Sequence, residues 1–480
     1  MRSAKVLSLP DAVSFPSFRQ SRSRFLLPFI DLRSLWFKDK YHLKKVHLPP
    51  LIETNEKRYD SYRLIFLSDG YPGKWQNGER VPHPLYGAYI INDYLQQYEM
   101  TKDKELLLAA IRVAKASIHR MEEYHGSLVF WYDPAYRLTS MPARFYSALT
   151  QSRYLFMFAR LHRLTNDPLF LESAQKVLNS FFIDQKRGGV LKRFHGGTSL
   201  EEYPNDIPLY TLNGWLSATI NLKRFADLSQ SEEADVLFRK SADSIEKIID
   251  LYDLEELANT RYNLSGYIPV QLKFSQEFKP KIVNAKISIP SEGDFPIRFQ
   301  RTRCLWENFI KDPDNFNAKS YQVTDEIVEL HAVLSMISFP HENSLSLEFE
   351  TSIHGTVEVW IGEGDYNLFS SALIPTRWTC LGTFRVSPES PKVRIPISWN
   401  QANLVAYPTN FSKKLAGKLY NTYHYIHIFT LEKLYEYTGK EKFRWYAEKW
   451  LNYTKKWREM EPYKSARVEL GPKRERLIAS

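Results

Sequence analysis

The sequence predicts a mainly α protein: an α/α toroid of helical hairpins, forming an incomplete barrel, with an inserted antiparallel β-sandwich. Paired segments with apolar residues at three- and four-residue spacing are joined by three-residue turns that contain Ser or Thr. These turns begin at residues 101, 165, 229 and 438, and the first two intervals are equal (165 − 101 and 229 − 165 are both 64). Before the fourth hairpin, short runs of alternating apolar and polar residues are separated by Pro and Gly, which is typical of strands in a sandwich.

The four helical hairpins are predicted from the apolar periodicity of their segments. In chain order, the paired segments lie at 85–124, 143–182, 209–252 and 417–457. A Ser or Thr ahead of each second segment suits a helix N-cap, because its side chain can accept a hydrogen bond from a free backbone N–H. Hairpins of this kind bury their apolar faces against their neighbours, which predicts a ring.

Three units follow from this pattern. We expect residues 1–80 to form an N-terminal arm or small subdomain, 81–266 with 411–480 to form the toroid, and 267–410 to form the β domain. A chain of 480 residues exceeds what one hydrophobic core usually holds, which agrees with several units. The inserted unit is interpreted as a carbohydrate-binding module, a packing element or a dimer surface.

Composition and charge narrow the class of partner. Hydrophobic residues make up 43% of the chain, and its 29 Tyr and 11 Trp suit stacking on sugar rings or the edges of a large core. The net charge is +10, of which residues 1–50 supply +7 (10 Lys and Arg against 3 Asp). This excess favours a polyanionic partner or a solvated basic tail. The sequence contains no Gly-rich phosphate loop or nucleic-acid-binding module, so nucleic acid is not expected as a partner.

Two cysteines, Cys304 and Cys380, are too few for a disulfide framework or a zinc site. The sequence shows no apolar run long enough to span a bilayer and no N-terminal pattern of a signal peptide. These features predict a cytoplasmic protein with no transmembrane segment.

The stretch 199–214 carries the residues best suited to chemistry. Glu201, Glu202 and Tyr203 follow one another on a loop stiffened by two prolines, directly before an apolar helical run. Glu201 is expected to be a surface carboxylate, and a Tyr next to Pro, as Tyr203 is, is more often an anchor of the loop than a catalytic group. Carboxylates and phenols can act as general acids and bases when burial and neighbours bring their pKa values near the working pH.

The connections between hairpins are expected to lie on one rim of the predicted ring, and the other connections add polar and aromatic side chains there. The first holds aromatic and acidic residues, the third a Tyr beside an Arg, and the fourth hairpin opens with a Tyr and two His: Trp131, Tyr132, Asp133, Tyr136, Arg261, Tyr262, Tyr423, His424, His427. Cations that could neutralise a substrate carboxylate are Arg144, Arg153, Lys192, Arg193 and Arg261. His424 and His427 share a helix face, but no third ligand accompanies them in a recognisable motif, so no metal is expected.

Three segments of the chain resemble the C-terminal catalytic domain of the D-glucuronyl C5-epimerases, which act on heparan sulfate precursors. Residues 144–167 are similar to the family's W-Y-S-A-M-G-Q-G-Q helix and the turn that follows it. Residues 201–214 contain E-E-Y-P and L-N-G, which match the family's E-E-Y-P and V-L-N-G. Residues 423–428 read Y-H-Y-I-H-I against Y-H-T-T-H-I. The resemblance covers about residues 80–265 and 416–458 in the same order.

The resemblance implies a reaction and a set of residues. A proton is removed from C5 of a glucuronate within a polymer and a proton is returned to the opposite face, giving iduronate. Glu202 and Tyr203 would lie on one side of the sugar and Tyr423 on the other, with Tyr262 near the carboxylate or the reacting carbon. The predicted substrate-binding residues are Tyr146, Gln151, Arg153, Asn213, Arg261, His424 and His427. The resemblance also implies a homodimer and no redox cofactor, and it leaves calcium open.

The sequence departs from the family pattern at two points of the site. Arg153 stands where the family has a second Gln, and Ser265 stands where it has an Arg three residues after the third tyrosine. Arg261 is expected to substitute for that Arg in space. The favoured prediction is a uronate C5-epimerase that acts on a heparosan-like acidic polysaccharide. A polysaccharide lyase, which removes the same proton but expels the C4 oxygen, and a non-catalytic acidic-glycan binding protein are the alternatives.

Overall fold

The computed structural model describes residues 65–76, 79–132, 144–205, 208–290, 293–297, 320–335, 343–367, 372–397, 406–411, 413–415, 418–457 and 459–464. Most of the predicted N-terminal arm lies outside the described residues, as do Asp133, Tyr136 and Cys304. The fold is therefore built from the hairpins and sheets between residues 65 and 464.

The helices form four hairpins, as the apolar periodicity predicts. Their members are, in chain order, α1 (Tyr86–Thr101) with α2 (Lys104–Arg120), α3 (Ala148–Thr165) with α4 (Pro168–Asn179), α5 (Leu212–Ser229) with α6 (Glu232–Ile248), and α7 (Thr422–Thr438) with α8 (Glu441–Lys456). A short helix, α9 (Glu461–Lys464), follows. The first helices are neighbours in order, with α1 against α3, α3 against α5 and α5 against α7.

All four hairpin turns have the same backbone conformation. The middle residue is left-handed in each: Lys102 (φ 59°), Asn166 (φ 55°), Gln230 (φ 59°) and Gly439 (φ 66°). The Ser or Thr before it ends the first helix, and its hydroxyl donates to the carbonyl four residues back at 2.7–2.9 Å. The N-cap of the second helix is thus the third residue of each turn, which corrects the predicted role of the Thr in three of the turns. Asp103, Asp167 and Ser231 accept from backbone N–H groups there, whereas Lys440 does not.

Small antiparallel sheets accompany the hairpins. Strands β1 (Ile65–Phe66), β2 (Pro72–Gln76) and β3 (Glu79–Pro82) precede α1. The first two connections between helical hairpins each contain a two-stranded unit: β4 (Glu122–Tyr124) with β5 (Ser127–Val129), and β6 (Leu191–Phe194) with β7 (Gly197–Leu200). The candidate loop at 201–214 follows β7 directly.

The region between α6 and α7 forms two larger antiparallel sheets. The first has the order β11 (Gly293–Pro296), β10 (Lys281–Ile289), β14 (Asn343–Glu350), β17 (Lys392–Ile397), with β12 (Tyr321–Gln322) beside β10. The second has the order β13 (Ile327–Ser335), β9 (Asn259–Phe274), β15 (Gly355–Asn367), β16 (Ala372–Val386), with β8 (Asp253–Leu254) and β18 (Ala406–Pro408) beside β9. A last pair, β19 (Lys413–Leu415) and β20 (Lys418–Tyr420), leads into α7.

The two sheets bury their apolar faces, as the alternating pattern predicts. In β17, Val393, Ile395 and Ile397 are buried and the residues between them are exposed. Phe349 of the first sheet and Phe274 of the second have ring centroids 6.2 Å apart. Full burial of side chains of this size stabilises a fold by about 1.5–3 kcal/mol each.

The fold thus combines helical hairpins with antiparallel sheets. A closed barrel is not identified within the described ranges, so the toroid stays a prediction. Strand β9 runs without interruption across the predicted boundary between 266 and 267. It also places Tyr262 on a strand, which corrects the expectation that this residue lies on a loop.

Candidate active site

Glu202 is the centre of the site, and a glycine makes room for it. It follows β7 and packs, 1% exposed, against the start of α5, where a Cβ at Gly214 would overlap its carboxyl group. Asn213 donates a hydrogen bond from Nδ2 to Glu202 Oε2 at 3.1 Å. The other neighbour of this carboxyl group is the phenol of Tyr203, which follows Glu202 directly on the loop. One carboxylate oxygen is therefore fixed by Asn213, and a phenol lies beside the same carboxyl group.

Burial raises the pKa of Glu202 to about 8, although several neighbours act in the opposite direction. Hydrogen bonding with Tyr203 and Asn213 and the charge of Arg153 lower the pKa, while the adjacent Glu201 raises it. A carboxyl group with a pKa near neutrality can both accept and donate a proton, as general acid–base catalysis requires.

Three phenols converge on this carboxyl group from three different elements. Tyr203 lies on the loop itself, Tyr262 on β9 and Tyr423 in the first turn of α7, and each is at most 3% exposed. The rings of Tyr262 and Tyr423 meet edge to face with centroids 4.8 Å apart. Tyr262 interacts electrostatically with Glu202, Tyr203 and Tyr423. The four residues predicted to be catalytic are thus brought together.

The phenols of Tyr203 and Tyr262 are held in their neutral form. Burial is the main cause of the raised pKa of Tyr203 and Tyr262, and the charge of Glu202 is the next contribution in both cases. A neutral phenol can donate a proton but cannot remove one. The arrangement thus offers an ionisable carboxyl group that can accept a proton beside neutral phenols that can donate one.

Glu201 is buried, not exposed as the sequence suggested. Ser199 donates from Oγ to Glu201 Oε1 at 2.7 Å, and the backbone N–H of Tyr210 donates to Oε2 at 3.1 Å. Burial raises the pKa of Glu201 to about 7, and these hydrogen bonds oppose the shift. Both oxygens are engaged within the loop, so Glu201 holds the loop in shape beside the reactive Glu202.

Arg153 is the cation that the structure associates with Glu202. Its guanidinium lies over the ring of Tyr89, 4.7 Å from the centroid, and its charge lowers the pKa of Glu202. Its Nε is buried without a hydrogen-bond partner. The other predicted cations act elsewhere: Arg144 pairs with Glu122, Arg193 pairs with Asp184, and Lys192 interacts with Glu201.

Arg261 does not substitute for an Arg at the cluster. Neighbouring residues of a strand point to opposite faces, so Arg261 is directed away from Tyr262. Its Nε donates to the carbonyl oxygen of Leu251 at 3.1 Å, and Glu256 and Asp253 are the charges acting on it. The predicted substrate-binding role of Arg261 is therefore not supported, because the side chain serves the connection before β9.

Tyr146 and Gln151 are engaged within the protein instead of facing a ligand. The Tyr146 hydroxyl donates to the carbonyl of Ser180 at 2.9 Å. Gln151 accepts from the backbone N–H of Phe130 at 3.0 Å and donates to the carbonyl of Leu128 at 2.8 Å. The amide thus joins α3 to β5 and the residue after it, which accounts for its complete burial, and its predicted contact with a sugar stays a prediction.

His424 and His427 are also fully buried and bonded inside the fold. His424 Nε2 lies 2.9 Å from the carbonyl oxygen of Trp450, and the Nδ1 atoms of both rings face the Thr260 hydroxyl. Burial lowers the pKa of His424 to about 4 and that of His427 well below its usual value. Both rings are therefore neutral and belong to a hydrogen-bond network inside the fold, so their contact with a sugar stays a prediction.

Two further residues border the cluster: Tyr132, which the sequence analysis placed on the rim without a role, and Gly214, which it did not single out. Tyr132 hydrogen-bonds to Thr150 Oγ1 at 2.6 Å, and Glu202 acts on its pKa, so it lies beside the carboxyl group. Gly214 is required by the close approach of Glu202. The signal for Gly214 was present in the L-N-G motif, but nothing in a single sequence shows what the glycine accommodates.

The cluster defines an acid–base site: a titratable carboxyl group beside three phenols. No group of three or more His, Cys, Asp or Glu that could hold a metal ion occurs among the residues that the structure describes. Within the same ranges, no helix is both long and apolar enough to cross a membrane.

Residues 127–276 match the family described as D-glucuronyl C5-epimerase C-terminus. The resemblance drawn from the sequence is thereby confirmed. A D-glucuronyl C5-epimerase of Caenorhabditis elegans is 32% identical over 134 residues, which are 25% of this chain and 21% of that protein. An uncharacterized protein of Methanocaldococcus jannaschii is 26% identical over 138 residues, 28% of this chain and 45% of that one. The chain therefore spans less than half of the length of either relative.

Two solved structures align with about half of the chain. One is a crystal structure of D-mannose isomerase, with a TM-score of 0.29 and 14% identity over 52% of this chain and 59% of that chain. The other is the GH76 alpha-mannanase BT2949 of Bacteroides thetaiotaomicron, with a TM-score of 0.30 and 12% identity over 49% of this chain and 64% of that chain. Similarity at this level carries no further conclusion.

The raised pKa of Glu202 predicts a pH-dependent contribution to stability. Between the ordinary value of 4.5 and the folded value of about 8, the folded state binds the proton more tightly, so this contribution falls as pH rises. Glu202→Gln removes it. Urea unfolding at pH 5 and pH 8 should show the parent losing a few kcal/mol more than the variant, since each pKa unit corresponds to about 1.4 kcal/mol. An equal pH dependence in both proteins would contradict the shift.

Proposed function

We propose that this protein is a uronate C5-epimerase that converts D-glucuronate to L-iduronate within a heparosan-like polymer. The observation that carries the proposal is the meeting of Glu202, whose pKa is about 8, with three buried phenols inside the region that matches the epimerase family. Removal and return of a proton at one carbon need a base and an acid near the same atom. The cluster contains both.

In the proposed reaction, ionised Glu202 takes the C5 proton, and the electrons of the C5–H bond move into the substrate carboxylate to give an enediolate. The phenol of Tyr423 then donates a proton to the opposite face of C5, which restores the carboxylate and leaves a phenolate. Transfer of a proton from Glu202 to Tyr423, through Tyr203 and Tyr262 or by exchange with water, returns the enzyme to its initial state. Two protons move in each turnover and no oxidant is needed.

Arg153 is proposed to bind the substrate carboxylate. The enediolate carries an additional negative charge on the carboxyl oxygens, so a guanidinium at this point stabilises the intermediate more than the substrate. The Nε of Arg153 is buried without a hydrogen-bond partner, and the planar group is oriented by the ring of Tyr89. Arginine suits this role because its planar group binds a carboxylate through two hydrogen bonds.

We expect Arg153→Gln to lower kcat/KM for the glucuronate polymer by about 10- to 100-fold, the equivalent of 1.5–3 kcal/mol for a charge-assisted hydrogen bond. Since Arg153 lowers the pKa of Glu202, the rising limb of the pH–rate profile should also move to higher pH. Arg160→Gln is the matched control, because Arg160 lies on the same helix but pairs with Glu99 at 2.6 Å. Equal effects of both substitutions would remove Arg153 from the site.

The arrangement of the helices and sheets around the site is part of the same proposal. The arc of first helices is proposed to belong to an α/α toroid that binds the polymer, and the two sheets to form a sandwich beside it. The acidic polysaccharide, the homodimer and the absence of a redox cofactor stay predictions drawn from the family resemblance.

Proton NMR of heparosan incubated with the protein in D2O tests the activity directly. Deuterium at C5 together with new iduronate signals is the expected result. Unsaturated uronate signals would instead identify a lyase. An unchanged spectrum with heparosan and with other glucuronate polymers would contradict the proposed reaction, and retention on an immobilised glycan would then point to a binding protein.

A further inference from the structure

A fully buried polar cluster joins β9 to the start of α7, next to the rings of Tyr262 and Tyr423. Its members are at most 1% exposed and bond to one another across three elements: Asn259, Thr260, Thr409, Asn421, His424 and His427. Asn421 caps α7 by accepting from the backbone N–H of His424 at 3.2 Å, and its Nδ2 donates to Thr409 Oγ1 at 3.0 Å. The mechanism proposed above uses none of these side chains.

The geometry fixes the tautomers of the two histidines. The carbonyl oxygen of Trp450 only accepts, so His424 Nε2 at 2.9 Å must carry a proton. Because the ring is neutral, His424 Nδ1 has a lone pair, and the Thr260 hydroxyl donates to it at 3.1 Å. Thr409 Oγ1 lies 3.3 Å from the same hydroxyl but donates its own proton to Asn259 Oδ1 at 2.6 Å. Because the single proton of Thr260 goes to His424, the contact from His427 Nδ1 at 3.0 Å is assigned as a donation to Thr260 Oγ1. The two histidines therefore have opposite tautomers.

We propose that Thr260 is a positioning residue for the proton-transfer pair: by bridging His424 and His427 in opposite tautomers, its hydroxyl sets Tyr423 against Tyr262. Thr260 and Tyr262 lie two residues apart and share one face of β9. His424 follows Tyr423 directly on α7. The Thr260 hydroxyl thus joins the two elements that carry the phenols. Thr260 lies two residues before Tyr262 on β9, and its partner His424 lies one residue after Tyr423 on α7. This inference rests on the proposed epimerase activity.

Without the hydroxyl, two buried ring atoms lose their partner together. In Thr260→Val, the lone pair of His424 Nδ1 and the N–H of His427 Nδ1 would both be unpaired, and an unsatisfied buried polar group is costly. The rings would turn or admit water, and the first turn of α7 would shift relative to β9. A displacement of about 1 Å at a reacting group is enough to reduce a rate about 100-fold.

The first test compares Thr260→Val, Thr260→Ser and the control Thr219→Val in the full chain. Thr219 is also fully buried, but its hydroxyl contacts Trp215 and Ser241 on the hairpin α5–α6. We expect Thr260→Val to lower kcat for C5 exchange about 100-fold with KM near the parent value. Thr260→Ser should restore most of kcat, and Thr219→Val should retain it. Parent-like kcat in a folded Thr260→Val protein would overturn the proposal.

The second test reads the tautomers without substrate, by two-dimensional NMR of histidine-labelled parent protein. The expected result is a proton on Nε2 of His424 and on Nδ1 of His427, retained in Thr260→Ser. A proton on Nε2 of His427 would overturn the proposal, even if Thr260→Val fails to fold. Ring-to-ring cross-peaks between Tyr262 and Tyr423 should weaken only in Thr260→Val. Because these signals need no turnover, they separate a failure of this inference from a failure of the epimerase reaction.

Discussion

Replacing Glu202 with Gln is expected to reduce kcat for exchange of the C5 hydrogen by about 10²- to 10⁴-fold, the usual contribution of a positioned acid or base. Gln has nearly the same shape, and its amide oxygen can still accept from Asn213 Nδ2. The amide cannot take up or release a proton at neutral pH, so the chemistry is lost while the fold is kept. Deuterium incorporation at C5, followed by NMR in D2O, measures the effect.

The control for this substitution is the neighbouring carboxyl group. Glu201 is equally buried, but both of its oxygens are bonded within the loop. In Glu201→Gln, the amide oxygen can accept from the N–H of Tyr210 while the NH₂ donates to the Ser199 hydroxyl, so we expect the loop to keep its shape. The rate should fall by less than that of Glu202→Gln. A fall in Glu202→Gln no larger than that in Glu201→Gln would contradict the assignment of Glu202 as the base.

Tyr423→Phe should abolish exchange to a similar extent, again about 10²- to 10⁴-fold. Phe keeps the ring that meets Tyr262 at 4.8 Å but removes the only proton that the side chain can donate. Tyr425→Phe is the matched control on the same helix, because Tyr425 is 1% exposed and its ring packs towards Trp457 instead. Circular dichroism and the thermal midpoint should be close to parent values in both variants.

Two results would contradict the predicted effect of Tyr423→Phe. Near-normal exchange with an intact fold would remove Tyr423 from the reaction and leave Tyr203 or Tyr262 as the donor. Loss of exchange in both Tyr423→Phe and Tyr425→Phe would instead show that α7 tolerates no change of this kind, and the rate would then report on packing.

The helical part of the fold could be predicted because its signal is local. Apolar spacing sets the faces of each hairpin, and the recurring turns fix their ends within a few residues. The strand that carries Tyr262 was not recognised, because it begins within the connecting segment and is stabilised by β13 and β15, which lie far along the chain. Pairing partners at that distance leave no mark in the local pattern.

Only part of the site could be predicted, because some of its residues stand in local motifs and others depend on contacts between distant segments. Glu202, Tyr203 and Tyr423 stand in recognisable motifs. The burial and the hydrogen-bond partners of Glu201, Arg261 and His424 depend instead on which groups surround them in the folded protein. Burial of Glu201 is tolerated because the Ser199 hydroxyl and the Tyr210 N–H satisfy it. His424 looks like a ligand-binding group in sequence, but Trp450 and Thr260 occupy both of its ring nitrogens.

The continuity of β9 limits how this protein can be divided for experiments. The strand extends from Asn259 to Phe274, so Tyr262 shares one backbone with residues that pair with β13 and β15. A truncation that excises the sheets at residue 267 would remove the second half of that strand, together with β18, which pairs with Arg261 beside Tyr262. Expression of the helical hairpins alone is therefore a poor route to a minimal enzyme. A shortened variant should instead keep β9, β13 and β15 together and trim the loops beyond them.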